Sequence, residues 1–309
     1  MGKVAFVFPG QGSQKVGMGR EAYEAFAAAR DVFNQANEAL GEELSRLCFE
    51  GPEEELKLTV NTQPAVLATS IALLRALDAP FDVVAGHSLG EYSAHVAAGT
   101  LGLTDALRLV RKRGQYMQEA LPYGQGAMAA VLKADRTLVE RICAEVPGLV
   151  EAVNYNCPDQ TVIAGEAEAV RRASAKLKEA GARASELPVS APFHSSLMEP
   201  AEARLREDIQ LIAFSDPRVP VYVNVDATPV TDSAAAKRAL IQQVSRPVRW
   251  EETIRRMIDD GVSLFVEVGP GRVLSGLLVR IDKRAGRANV QGPSDFAAAR
   301  EAIAEARAS

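Results

Sequence analysis

The sequence predicts an α/β protein: a parallel sheet covered by helices on both faces, with a smaller antiparallel unit inserted into it. Three observations predict it. Short, nearly all-apolar runs such as "KVAFVF" and "FDVVA" alternate with helical stretches, as strands buried on both faces do. A middle segment changes rhythm to strand, helix, strand, strand, helix, strand. A chain of 309 residues, 47% apolar and 24% charged, can bury a full core.

In chain order, "KVAFVF" is the first strand and runs into the glycine-rich loop "PGQGSQKVGMG". That loop is not a nucleotide cradle: GxGxxG from Gly10 needs glycine where Lys15 stands, and GxxxxGK from Gly12 needs lysine where Met18 stands. Helical patterns follow from about Gly19 to Leu40 and from about Pro64 to Leu77. "FDVVA" reads as a central strand, and "TDALRLVRKRGQYMQEAL" as a helix capped by Thr104. From "GAMAAVLK" to "ASELPV" the order is βαββαβ, a ferredoxin-like unit that buries one sheet face under two helices. The larger domain resumes at "SSLMEPAEARLRE", where Ser196 and Glu199 make a Ser-x-x-Glu capping box with Pro200 in the first turn. Strand "VPVYVNV", helices from about Ser233 to Val244 and Trp250 to Asp260, strand "SLFVEV", turn "GPG" and a helix from Arg272 to Ile281 complete it. The expected division is residues 1–124 and 191–285 for the large catalytic domain, 125–190 for the small one, and 286–309 for a C-terminal tail holding one terminal helix.

Composition narrows the function. A formal charge of −5 gives no global attraction to nucleic acid. No apolar run reaches the roughly 18 residues of a membrane span, and the apolar stretch before Pro9 is too short for a secretory signal, so a cytoplasmic protein is expected. Cys48, Cys143 and Cys157 form no CxxC pair and leave an odd count, which argues against a disulfide framework and against a metal site.

The chemistry centres on "GHSLG", residues 86–90, a G-x-S-x-G with a strand before it and a helix after it. The glycines are expected to let the chain turn sharply and project Ser88 into a cleft, where the following helix aims its free amides, that of Leu89 first, at a developing oxyanion. Serine needs a base to take its proton. His87 adjoins Ser88 and points away from it. His95 lies seven residues on, about 10 Å along a helix at 1.5 Å per residue. His194, in the loop "SAPFHSS", is the remaining candidate. In the helix from Thr104, Ala106, Val110, Met117 and Leu121 mark an apolar stripe whose missing position is Arg113. A guanidinium there needs a carboxylate, supplied either by an internal Asp or Glu or by a substrate with a free acid end. At this point both acyl hydrolysis and acyl transfer stand open.

The motifs "FPGQGSQ", "TQPA", "GHSLGEY", "RGQYMQEA", "NYNCPDQTVIAG", "PFHSSLM", "RPVRW" and "EVGPGRVL" together resemble the malonyl-CoA:acyl carrier protein transacylase family of bacterial fatty acid synthesis. The resemblance runs to about Ile281 in the right order. It implies an α/β-hydrolase-like large domain, a malonyl ester on Ser88, and His194 as general base and acid. It also implies an oxyanion hole from the backbone N–H groups of Gln11 and Leu89, Arg113 on the malonyl carboxylate, and the Gln243 carbonyl orienting the histidine. Phe193 and Met117 would line the acyl pocket, Phe193 against branched groups. Malonyl-CoA and acyl carrier protein are the implied partners, with no nucleic acid, membrane, metal or cofactor. Serine thioesterase or hydrolase activity, or transfer of a related acyl group in polyketide synthesis, are the alternatives. Because carrier proteins of this kind are acidic, Arg280, Lys283, Arg284 and Arg287 are expected to offer a local basic patch. Arg249 departs from the pattern, where the bacterial family often has glutamine.

Overall fold

The computed structural model describes residues 2–308. Strand β1 (Lys3–Phe8) serves both faces of the sheet: Val4, Phe6 and Phe8 enter one core, Ala5 and Val7 the other. Two helices, α1 (Arg20–Ala25) and α2 (Ala27–Leu40), stand where the sequence predicts one. Phe26 between them is extended, and its ring lies 5.3 Å from that of Phe296. A one-residue break leaves the apolar period almost intact, so periodicity does not register it. Two helices too short to show a period, α3 (Leu44–Glu50) and α4 (Glu53–Leu56), come next. Helix α5 (Thr59–Leu77) begins a turn ahead of Pro64, which it tolerates because it is buried almost all round and packing holds it.

Strand β2 (Val83–Gly86) leads into α6 (Leu89–Ala97) and then α7 (Leu103–Glu119). Thr104 is not the cap expected of it; α7 starts one residue earlier, after an extended Gly102, and Thr104 sits inside the first turn.

The chain then builds β3 (Gly126–Leu132), α8 (Arg136–Glu145), β4 (Val150–Cys157), β5 (Gln160–Glu166), α9 (Ala167–Glu179) and β6 (Arg183–Glu186). These strands form a separate antiparallel sheet in the order β4-β5-β3-β6, the ferredoxin-like arrangement, with both helices in one core against Ala129, Val131 and Ile163.

The remaining elements are α10 (Glu199–Leu211), β7 (Val221–Tyr222), β8 (Pro229–Val230), α11 (Ser233–Gln242), α12 (Trp250–Asp259), β9 (Val262–Val268), α13 (Val273–Ile281), β10 (Gly286–Val290) and α14 (Phe296–Ala308). The large sheet runs β10-β9-β1-β2-β7-β8, all parallel except β8. The fold is thus α/β, as predicted.

Three local expectations fail. The capping box at Ser196 does not form: a 3-10 turn covers Ser196–Met198, and the Ser196 N–H that Glu199 would have received donates instead to Glu151 Oε2 at 2.7 Å. The strand predicted over "VPVYVNV" stays in the sheet only at Val221 and Tyr222, because the chain turns back through Ala227, with φ 53°, and carries Asn224 out of the sheet. The expected tail, residues 286–309, is not separate from the large domain as far as residue 308: β10 adds to the edge of the large sheet and α14 packs on β1, β9 and β10. "GRANV" is too short and polar to announce a strand.

Two contacts position the site. Main chain joins the small sheet to the large domain, with Tyr155 N–H donating to the Val248 carbonyl at 2.9 Å and Val248 N–H to the Val153 carbonyl at 2.8 Å. Helices α5 and α7 meet at Gly114, where a Cβ would lie 2.9 Å from the Thr59 carbonyl oxygen and from Val60 Cα. Gly114→Ala is therefore expected to push the helices apart at a cost of about 2 kcal/mol. Gly276→Ala, in an exposed part of α13 with nothing nearby, should gain about 0.5–1 kcal/mol. Urea denaturation of both variants measures the contrast.

Candidate active site

The serine sits on the turn between β2 and α6 with φ 52° and ψ −108°. The left-handed residue of this elbow is Ser88 itself, not either glycine of the motif. Gly86 and Gly90 are needed for space: a Cβ on Gly86 would fall 1.9 Å from the Gly90 carbonyl carbon, and one on Gly90 would fall 2.0 Å from the Phe8 carbonyl oxygen. The start of α6 thus crosses directly over the ends of β1 and β2.

His194, also at positive φ, 66°, is buried. Its Nε2 is 2.7 Å from Ser88 Oγ and its Nδ1 is 2.8 Å from the Gln243 carbonyl oxygen. A carbonyl can only accept, so Nδ1 carries the proton and Nε2 is left to accept the Ser88 hydroxyl. Burial, and next the charge of Arg113, push the His194 pKa down from 6.5 to about 3, which keeps the ring neutral. The other histidines are elsewhere. His87 Nε2 lies 2.8 Å from Asn156 Oδ1, and His95 is fully buried with its Nε2 4.0 Å from Glu91.

Arg113 is 2% exposed on the buried face of α7, in line with Ala106, Val110 and Met117. Its Nη1 donates to Gln63 Oε1 at 2.8 Å, and its Nη2 to Gln243 Oε1 at 2.9 Å and to Ser88 Oγ at 3.1 Å. The Tyr92 ring lies 5.5 Å away, and the Nε–H is buried without an acceptor. Among the described residues no carboxylate forms an ion pair with it; the buried Glu91 acts on it through its charge but is bonded to the Asn224 N–H instead. A buried cation whose hydrogen-bond partners are all neutral is a ready site for a small anionic group.

Gln11 and Leu89 both line a cavity of about 120 Å³ with Ser88, Arg113, His194, Met117 and Phe193. Among the described residues neither of their amides donates to a protein acceptor. Leu89 opens α6, where the helix end carries partial positive charge, while the neighbouring N–H groups of Gly90 and Glu91 donate to the His87 and Ser88 carbonyls. Arg249 contributes main chain here; its side chain pairs with Glu252 at 3.4 Å. No group of three or more His, Cys, Asp or Glu is placed to hold a metal ion among the described residues, and none of their helices is long and apolar enough to cross a membrane.

Three side chains escaped the sequence reading. Gln63 holds the guanidinium, the Gln243 side chain donates from Nε2 to the Ser88 carbonyl at 2.9 Å while accepting from Arg113, and Asn224 Oδ1 accepts from the Ser88 N–H at 2.7 Å. The only sequence signal for them is a polar residue in an apolar setting, as in "TQPAVLA" and "VYVNV".

Residues 5–292 match the acyl transferase domain family. The chain is 48% identical to the malonyl CoA-acyl carrier protein transacylase of Bacillus subtilis, over 99% of this chain and 98% of that one. It is 46% identical to that of Escherichia coli, over 97% and 100%. The crystal structure of an acyl-carrier-protein S-malonyltransferase from Burkholderia pseudomallei superposes with a TM-score of 0.95 at 47% identity, over 97% of this chain and 99% of that one. A malonyl-transacylase solved in complex with its type II PKS acyl-carrier protein superposes at 0.94 and 44%, with the same coverage.

The low His194 pKa has a measurable consequence. Phosphonylation of Ser88 by a small neutral fluorophosphonate should keep its rate from pH 8 down to about pH 5, because the base loses its lone pair only as pH approaches 3. An acid limb near 6.5 would mean an ordinary, exposed imidazole. The sign for stability is the same. The unfolded chain binds protons at His194 and His95 that the folded one does not, so stability falls as pH drops from 6.5 towards 3.

Proposed function

The chain belongs to the acyl transferase domain family and, within it, to the malonyl-CoA:acyl carrier protein transacylases, and on that premise we propose that Ser88 carries the malonyl group between the two thiols. The substrates are malonyl-CoA and acyl carrier protein, and the setting is fatty acid biosynthesis. The single observation behind the residue assignment is that Ser88 Oγ meets both a neutral imidazole nitrogen and a buried guanidinium.

In the first half-reaction His194 Nε2 takes the hydroxyl proton as Ser88 Oγ attacks the thioester carbonyl. The oxyanion that forms is held by the Leu89 and Gln11 amides. Collapse breaks the carbon–sulfur bond, and the departing sulfur of CoA takes the proton from His194. In the second half the phosphopantetheine thiol gives its proton to His194, attacks the ester, and Ser88 Oγ leaves with the proton returned. Arg113, whose side chain lines the same cavity as Ser88, holds the malonyl carboxylate throughout. Phe193 and Met117 close the pocket around the acyl carbons and leave little room for a branch.

A hydrolase histidine leans on a carboxylate that stabilises the imidazolium. His194 leans on a neutral carbonyl, with Arg113 nearby opposing a second positive charge. The same base serves the Ser88 hydroxyl in the first half-reaction, and in the second an acceptor thiol, with a pKa of about 8.5, gives up its proton far more readily than water, at about 15.7. This supports transfer over hydrolysis.

The test is intact mass after mixing with malonyl-CoA, with and without carrier thiol. The native chain should gain a malonyl adduct that the carrier removes, and Ser88→Ala should gain none. Arg113→Ala should lose about 2–5 kcal/mol of preference for malonyl over acetyl; equal transfer of both would refute the clamp.

For docking, Arg280 is paired with Asp159 at 2.5 Å and Arg284 with Asp282 at 3.2 Å, which leaves Lys283 and Arg287 as the exposed, unpaired cations of the expected patch among the described residues. Reversing Lys283 and Arg287 to glutamate should raise KM for carrier protein several-fold and leave KM for malonyl-CoA unchanged.

A further inference from the structure

Ser88 holds a backbone conformation that persists only where its surroundings over-determine it. Glycine would relieve the strain but cannot supply the hydroxyl. The group that spans the strained turn is Asn224, which comes from a different part of the chain, the loop after β7. Its Oδ1 accepts from the Ser88 N–H at 2.7 Å and its Nδ2 donates to the Gly86 carbonyl at 2.7 Å. These two partners fix which way the amide faces, since one needs an oxygen and the other an N–H.

Asn224 is itself held on both sides by main chain. Its N–H donates to Glu91 Oε2 at 2.7 Å and its carbonyl accepts from the Arg249 N–H at 3.0 Å. Both Asn224 and Glu91 are fully buried. Glu91 lies in the first turn of α6, three residues past the serine, so a closed ring runs from Ser88 through Asn224 to Glu91 and back along the helix. One consequence is immediate. The Ser88 amide is engaged by Asn224, so it cannot point at an oxyanion, and that task falls to the amides of Leu89 and Gln11.

We propose that Asn224, seated by Glu91, is a positioning residue that sets the Ser88 backbone so that Oγ meets His194 Nε2. This rests on the function proposed above only in taking Ser88 as the nucleophile. A displacement of the reacting oxygen by about 1 Å lowers rate on the order of 100-fold without touching the groups that bind substrate.

The test compares Asn224→Ala, Glu91→Ala, Glu91→Gln and the double alanine variant in the full chain. Two rates are read: malonyl-enzyme formation by rapid quench, and inactivation by a neutral fluorophosphonate, which needs Ser88 and His194 but not Arg113. For Asn224→Ala both rates should fall about 100-fold while KM for malonyl-CoA holds. Glu91→Ala should fall with it, the double variant no further than the worse single one, and Glu91→Gln, which keeps an oxygen for the Asn224 N–H, should recover the larger part of the loss. A folded Asn224→Ala that reacts with the fluorophosphonate at about the native rate, or a loss confined to KM, overturns the proposal. Should Asn224→Ala not fold, Asn224→Ser replaces it: its hydroxyl is too short to span Ser88 and Gly86, so the same loss is expected and native rates overturn the role. Because the fluorophosphonate carries no malonyl group, its rates decide the role of Asn224 whatever the acyl donor proves to be.

Discussion

A guanidinium buried beside a serine hydroxyl, with only neutral groups as its hydrogen-bond partners, is the constraint around which this molecule is arranged. Burying Arg113 among neutral groups is costly, and the fold offsets the cost with side-chain oxygens from Gln63 and Gln243 and with the face of Tyr92. Those partners come from α5, from the end of α11 and from α6, so the charge can be accommodated only where three elements converge. The same convergence brings in His194. Gln243 uses its carbonyl to hold the imidazole and its side chain to hold the guanidinium, which ties both groups to one residue.

The elbow imposes the second demand. Gly86 and Gly90 let α6 start against the strand ends, and the strain of the turn is gathered at Ser88. The Ser88 hydroxyl is thereby placed where its oxygen faces one histidine nitrogen and one arginine nitrogen together. The Leu89 amide, which has no protein acceptor among the described residues, opens the helix that follows and belongs to a residue lining the same cavity.

Much of this was legible in the sequence. The alternation of apolar strands with helices identified the parallel sheet, and the change of rhythm after Gly126 identified the small antiparallel unit. Ser88 stood out by its flanking strand and helix, His194 by elimination, and Arg113 by breaking an apolar stripe. What stayed hidden falls into two kinds. Short or interrupted elements, such as the break at Phe26 and the polar edge strand β10, carry too few residues for a period to show. Gln63 and Asn224, and the side chain of Gln243, act through contacts between residues distant in the chain, |i−j| 50, 136 and 155 respectively, and local pattern has no access to those.

The main-chain seam between the small sheet and the large domain has a bearing on His194. Val248 is bonded on both sides to β4, and the segment that bears it follows directly from Gln243. Swinging one unit away from the other would pull on the strand of chain that aims the histidine. The seam between the two units and the aim of the imidazole therefore stand or fall together.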